Sequence, residues 1–170
     1  NTRHKLRIMA QFVTAQQVID NSFSSTNTDP NFIKTTSIEQ TQLKHIKPVL
    51  TEELYDLIVT ENNASSLSAV NQTIFDTYIV PAMYWFVKHD VILDIAIKSN
   101  SKGVNRSFGN FSEQGTNTDV SHTMEVAFSN GLKILERMTE YIHDNESDYP
   151  TYNRGENVLN DVSYRGGIIY

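Results

Sequence analysis

The sequence predicts a mainly α fold: a helical bundle with a long Pro-kinked central helix, a β-hairpin or loop insertion and an extended C-terminal arm. Three observations carry this. From about Leu67 to Ile95, the residues Val70, Ile74, Tyr78, Ala82, Trp85, Phe86 and His89 recur at steps of three and four. Phe75, Ile79, Met83 and Val87 widen that face towards the whole circumference, as in a helix buried on several sides. From Val120 to about His143, a second stripe runs through Met124, Ala127, Phe128, Gly131, Leu135, Met138 and Ile142. Between the two the period changes: Ile95, Ile97 and Val104 flank the turn-like Asn100-Ser101-Lys102-Gly103.

The elements follow in order. Thr14-Ala-Gln-Gln17 is a capping box, in which the Thr hydroxyl takes a free helix amide and Gln17 reaches back. It opens a short helix to about Phe23 that carries Val18 and Ile19. Ser24–Asp29 is a loop by composition. Asp29-Pro30 is a second start signal, since Asp accepts from first-turn amides and Pro there has no amide to leave unpaired. Ile33, Leu43, Ile46 and Leu50 then mark a thinner stripe, which Pro48 ends or bends. Thr51-Glu52-Glu53 restarts a helix, with acids where the dipole favours them, and Leu54, Leu57 and Ile58 mark its buried side. Glu61–Ser66 breaks it.

Pro81 sits inside the long helix, where a proline removes one hydrogen bond and clashes with the preceding turn at a cost of about 3 kcal/mol. A central helix packed on several sides tolerates that as a kink. Asn110–Asp119 reads as flexible, and Asp119 as the cap of the last helix. Gly131 interrupts the cleanest stripe at about 1 kcal/mol against Ala, which points to close approach by a neighbour, the kinked helix being the obvious one. Residues 1–148 therefore read as one helical domain with an insertion at about 95–118, and 149–170 as an arm. That arm is polar but spaced with Tyr149, Tyr152, Tyr164, Ile168, Ile169 and Tyr170, side chains suited to lying on another surface.

Composition narrows the chemistry. Fourteen Lys and Arg against twenty Asp and Glu give a net charge of −6, which argues against a phosphate-neutralising grip on nucleic acid. The absence of Cys removes disulfides, thiol catalysis and Cys-ligated zinc together. No apolar run is long enough to span a membrane, Lys88, His89, Asp90 and Asp94 interrupting the best one. Glu140-Tyr-Ile-His143 has the spacing of a di-iron bundle element, but it occurs once and points away from the apolar stripe, as do His122 and Glu125. Gly-x-Ser-x-Gly, Gly-x-x-x-x-Gly-Lys and Gly-x-Gly-x-x-Gly are all missing. His89, on the apolar face with Trp85 and followed by Asp90 and Asp94, is the one candidate base of a small helical enzyme; a satisfied, partly buried His is the plainer reading. A monomeric regulatory binding module is the other alternative. Lys98, Lys102 and Arg106 form a small basic group on the hairpin, suited to phosphate, to an acidic partner or simply to solubility. No catalytic residue, cofactor or metal is expected.

Four stretches in this order, "IKPVLTEELYDLI" (Ile46–Ile58), "YIVPAMYWFVKHDVI" (Tyr78–Ile92), "KSNSKGV" (Lys98–Val104) and "YIHDNESDYPTYN" (Tyr141–Asn153), resemble the head-to-tail connector, or adaptor, proteins of tailed bacteriophages. The likeness is strongest to ring proteins of phages that infect Bacteroidetes, crAss-like phages among them, and covers most of residues 10–153. It implies a helical protomer in a homo-oligomeric ring, typically a dodecamer, at the neck of the virion after assembly in the host cytoplasm. The portal protein and the adjacent neck or tail rings would be its partners. Genomic DNA would pass through the channel without specific binding, and no membrane would be involved. The hairpin and the arm would make the contacts.

Overall fold

The structure, a computed structural model, describes residues 11–24, 28–100, 103–106 and 117–160, those at 96–106 and 117–118 by backbone alone. It is mainly helical. Helix α1 (Ala15–Ser22) opens on the full capping box: the Thr14 hydroxyl accepts from the Gln17 amide, and the Gln17 side chain accepts from the Thr14 amide. Asp29 caps a single 3-10 turn, Pro30–Phe32, rather than the long helix expected there. The helix begins afresh at α2 (Thr35–Thr41) and passes through a π-helical turn, Gln42–Ile46, into α3 (Lys47–Leu50). Helix α4 (Glu52–Asn63) follows, its buried side carrying Leu54, Tyr55, Ile58 and Val59 while Leu57 is left exposed.

The long helix is α5 (Ala69–Ile74), a second π turn (Phe75–Ile79) and α6 (Val80–Ala96) in unbroken succession. Where a kink was expected at Pro81, the helix instead has five π-helical residues ahead of the proline. The same arrangement precedes Pro48. In each case the residue before the proline donates its amide five residues back, Lys47 to the Gln42 carbonyl and Val80 to the Phe75 carbonyl. An α-helix would direct the missing proline N–H at the carbonyl four residues back and press the ring against it. A π turn is wider and moves that carbonyl aside, so the helix continues past the proline.

α6 is the centre of the fold, with α1, α2 and α7 (Asn117–Asp144) packed on it. Ala82, Met83, Phe86, Val87 and Val91 of α6 join Val18 and Ile19 of α1, Ile38 of α2 and Leu135, Met138 and Ile142 of α7 in one core. At its C-terminal end α6 leads into β1 (Ile97–Asn100), which pairs antiparallel with β2 (Gly103–Arg106), Ile97 opposite Arg106 and Asn100 opposite Gly103. α7 starts before Asp119, so that residue lies in its first turn and is not its cap.

Two junctions are tight. Thr51, between α3 and α4, is buried at φ 67°, a conformation that costs a β-branched residue about 1–3 kcal/mol. Its hydroxyl does not cap α4 but accepts from the Asn153 amide at 3.3 Å. Ser65 takes φ 52° after α4, and the Ser66 amide reaches back to the Glu61 carbonyl, closing the helix end.

The stretch from Asn145 to Asn160 is folded onto the body through three short 3-10 turns. Tyr149 and Leu159 belong to the main core, and the Tyr149 hydroxyl donates to the Val70 carbonyl at 3.1 Å. Asn157 is buried, its amide donating to the hydroxyls of Thr139 and Tyr152, and its carbonyl oxygen accepting from the Leu159 amide. Of the arm expected at 149–170, the part up to Asn160 is packed on this chain's own body. Tyr149 and half-buried Tyr152 serve this chain's own packing, because one face of α7 and the α3–α4 junction need a cover. Lys102, Tyr164, Ile168, Ile169 and Tyr170 lie outside the described residues, and Lys98 and Arg106 are placed only as backbone in β1 and β2.

Gly131 faces the ring of Phe86, and a Cβ built there would stand 2.8 Å from its edge. Phe86 is fully buried, stacked on His45 at 4.3 Å and edge-on to Phe128, so it has nowhere to move. Gly131→Ala should therefore lower stability by about 1–3 kcal/mol despite its better helix propensity. Thermal melts followed by circular dichroism would show the midpoint falling; a midpoint that rose would mean the ring yields.

Candidate functional site

The densest group of titratable side chains surrounds Asp90 in the middle of α6. Thr41, Lys44 and His45 reach it from the end of α2 and the following π turn, at steps of three and one. The Thr41 hydroxyl donates to Oδ2 at 2.8 Å and the Lys44 ammonium to Oδ1 at 3.0 Å. His45 Nε2 lies across both oxygens, 3.4 Å from Oδ1 and 3.3 Å from Oδ2. One turn of the chain thus places three donors on one carboxylate 45 to 49 residues away.

Burial pushes the Asp90 carboxyl up, but the bonds from His45, Lys44 and Thr41 outweigh it and hold the group well below the ordinary carboxylate range. His45 is also held below its usual value, for a different reason. Burial lowers it, with help from Lys44 and His89, more than Asp90 raises it. The pair is therefore a neutral imidazole donating Nε2–H to an ionised carboxylate. His45 Nδ1 is then a bare acceptor, buried without a partner. A second proton would create a buried, unpaired N–H, which costs more than an idle lone pair.

His89 is the partly buried, hydrogen-bonded histidine of the plainer reading and not the base of a dyad with Asp90 or Asp94. Its Nδ1 lies 2.9 Å from the Met124 carbonyl, an acceptor, so the ring proton sits there. Its Nε2, an acceptor in that tautomer, stands 3.9 Å from Asp90 Oδ1. Asp94 is exposed one turn on. Trp85 is half-buried and carries the Lys88 ammonium 5.5 Å above its ring; Phe23 takes the same ammonium at 5.1 Å, and the Ser22 carbonyl accepts from it at 2.6 Å.

A second buried polar group is close by. The Gln42 side-chain amide donates to the Tyr55 hydroxyl at 3.0 Å, and its carbonyl oxygen accepts from the Phe12 amide at 3.1 Å. On α7, His122, Glu125 and Glu140 are exposed as the stripe geometry requires. His143 is not: the fold-back of 145–160 half-buries it beside Tyr152 and leaves Nε2 without a partner. Among the described residues no group of three or more His, Cys, Asp or Glu could hold a metal, and no helix is long and apolar enough to cross a membrane.

Sequence reasoning named His89 and Asp90 but missed Thr41, Lys44 and His45, their true neighbours. Pro48 was the available signal: a proline inside a continuing helix demands an irregular turn ahead of it, and irregular turns re-aim side chains.

Residues 46–161 match a family model described as "Family of unknown function (DUF6712)". No curated protein and no solved structure matches.

Two outcomes follow from this geometry. Asp90→Asn should cost about 2–3 kcal/mol, since it leaves Lys44 and His45 facing a neutral, partly mismatched partner. In addition, the unfolded chain takes a proton on His45 near pH about 6.5 whereas the folded chain takes it only at lower pH, so folding loses stability as pH falls below that value. Melts of the wild type and His45→Gln between about pH 7 and pH 5 should differ in slope, the variant being flatter; parallel slopes would mean His45 titrates as it does unfolded.

Proposed function

The chain belongs to DUF6712, a family of unknown function, and we propose that it is a structural virion protein of a tailed phage. In this reading it forms a ring at the portal or neck, joins head to tail and extends the DNA channel. The observation that carries this reading is the state of the Asp90 cluster. The most chemistry-like constellation in the described residues is consumed in fastening α2 and its π turn to α6: the carboxylate is saturated by three donors, and His45 is shielded under Phe86 and Phe128. A chain that spends its interior polar groups on rigidity leaves its surface to act.

The connector resemblance, a helical body and the net charge of −6 support the same reading. A channel wall of like charge passes DNA without gripping it. β1 and β2, seated at the end of α6, are the projection that reaches a neighbouring subunit or the portal, with Lys98, Lys102 and Arg106 as its basic side chains. Beyond Asn160, Tyr164, Ile168, Ile169 and Tyr170 supply the remaining contact. A dodecamer is the expected ring.

The test is a pair of truncations. Removing residues 161–170 should leave helical content and melting midpoint nearly unchanged and should abolish rings in negative-stain images. Removing everything from Arg154 also takes Asn157 and Leu159 out of the core, so that variant should melt lower by several degrees. Full-sized rings from the shorter deletion would overturn the role given to the chain beyond Asn160. The absence of rings from the wild type, alone and with its portal, would overturn the function.

A further inference from the structure

The ring reading requires a contact in which one face of a subunit meets a different face of the next, because such heterologous contacts are what close into rings. Two helix faces of this chain fit each other in that way. On α4, Glu53, Asp56, Leu57 and Thr60 fall within about 100° of arc at 100° per residue and are all exposed, Leu57 at 38%. Glu53 and Asp56 take part in no ion pair among the described residues, unlike neighbouring Glu52, which Lys47 holds at 2.9 Å. On α7, Val126, Lys133 and Arg137 fall within about 40° of arc and are likewise exposed, Val126 at 42%. Lys133 and Arg137 are also without an ion pair among the described residues, though Glu136 flanks them and Glu140 ends the stripe.

Each face thus sets an exposed apolar side chain beside two charges without an ion pair among the described residues, acidic on α4 and basic on α7, the basic pair bordered by Glu136 and Glu140. The two helices pack on different parts of the body, α4 on α3 and α7 along α6. We propose that the α4 face of one copy docks antiparallel on the α7 face of the next, with Asp56 opposite Lys133 and Glu53 opposite Arg137, and with Leu57 and Val126 as apolar side chains along the same contact. This rests on the ring reading and names its subunit contact. Opposed charges of this kind fix orientation and partner choice more than they add affinity. Leu57 and Val126 supply the apolar area, and the contact weakens as salt rises.

A charge exchange between full-length proteins tests the proposal. Glu53→Lys with Asp56→Lys makes both faces basic; Lys133→Glu with Arg137→Glu makes both acidic. Mass photometry and negative-stain imaging should show wild-type rings, and each double variant alone weakened in association by about tenfold or more. An equimolar mixture should regain closed rings, because the basic α4 face of one variant meets the acidic α7 face of the other and the two alternate. Restoration also shows that both variants are folded. Unimpaired rings from either variant alone, or no recovery on mixing two variants of wild-type helical content, would overturn this contact while leaving ring formation itself intact. A wild type that stays monomeric would overturn both.

Discussion

A proline inside a continuing helix has no amide to donate and a ring that crowds the carbonyl four residues back, and this chain meets that constraint twice in the same way. Pro48 and Pro81 each follow a π turn by two residues. The consequences reach well beyond the backbone. The turn Gln42–Ile46 directs Gln42 and His45 inward while Leu43 is left 44% exposed, so a stretch that reads as a thin apolar stripe presents a polar edge to the core. From that edge His45 lies flat on Phe86 and bonds Asp90, one helical turn further along α6. Phe86 in turn fills the space beside Gly131, which sets how closely α7 approaches. The placement of the last helix therefore depends, through three ring and hydrogen-bond contacts, on how the first proline is accommodated.

The interior polar groups share a pattern. Asp90 ties α6 to residues 45 to 49 positions earlier, Gln42 ties its π turn to both Phe12 and Tyr55, and Asn157 ties the fold-back to Thr139 on α7. Every one bridges segments that packing alone would leave free to rotate about their axes. An apolar side chain of the same volume would accept several orientations; a carboxylate that must meet three donors accepts one. The cost shows in His45 Nδ1, left buried without a donor, and in the strained backbone of Thr51 beneath Asn153.

What could be read from the sequence divides along the range of the interactions. The Thr14 capping box, the restart at Glu52, the long helix through Pro81 and the close approach at Gly131 are legible because propensity, capping and periodicity act within a few residues. The π turns are not, since bonding to the fifth residue back has no composition of its own and only the proline beyond betrays it. Nor is the Asp90 cluster, whose donors arrive from far upstream; adjacency in sequence suggested His89, but the Met124 carbonyl on α7 holds that ring. The segment after Asn145 misled for a related reason. A polar, aperiodic stretch with spaced tyrosines looks the same whether it covers its own core or another molecule's, and Tyr149 and Leu159 cover their own.

Rigidity and assembly are connected by the geometry of closure. A ring formed by repeating one heterologous contact closes only if the docking and docked faces of a subunit stand at a fixed angle to each other. For α4 and α7 that angle is set inside the molecule. α4 is anchored at Thr51, whose hydroxyl holds Asn153, and at Tyr55, whose hydroxyl holds Gln42; α7 is anchored at Gly131 against Phe86 and at Thr139 against Asn157. Gln42 and His45 are in the same π turn, so the bond to α4 and the stack that locates α7 start four residues or fewer apart. In the proposed ring, referencing both outer helices to one turn would hold the angle that each subunit has to repeat.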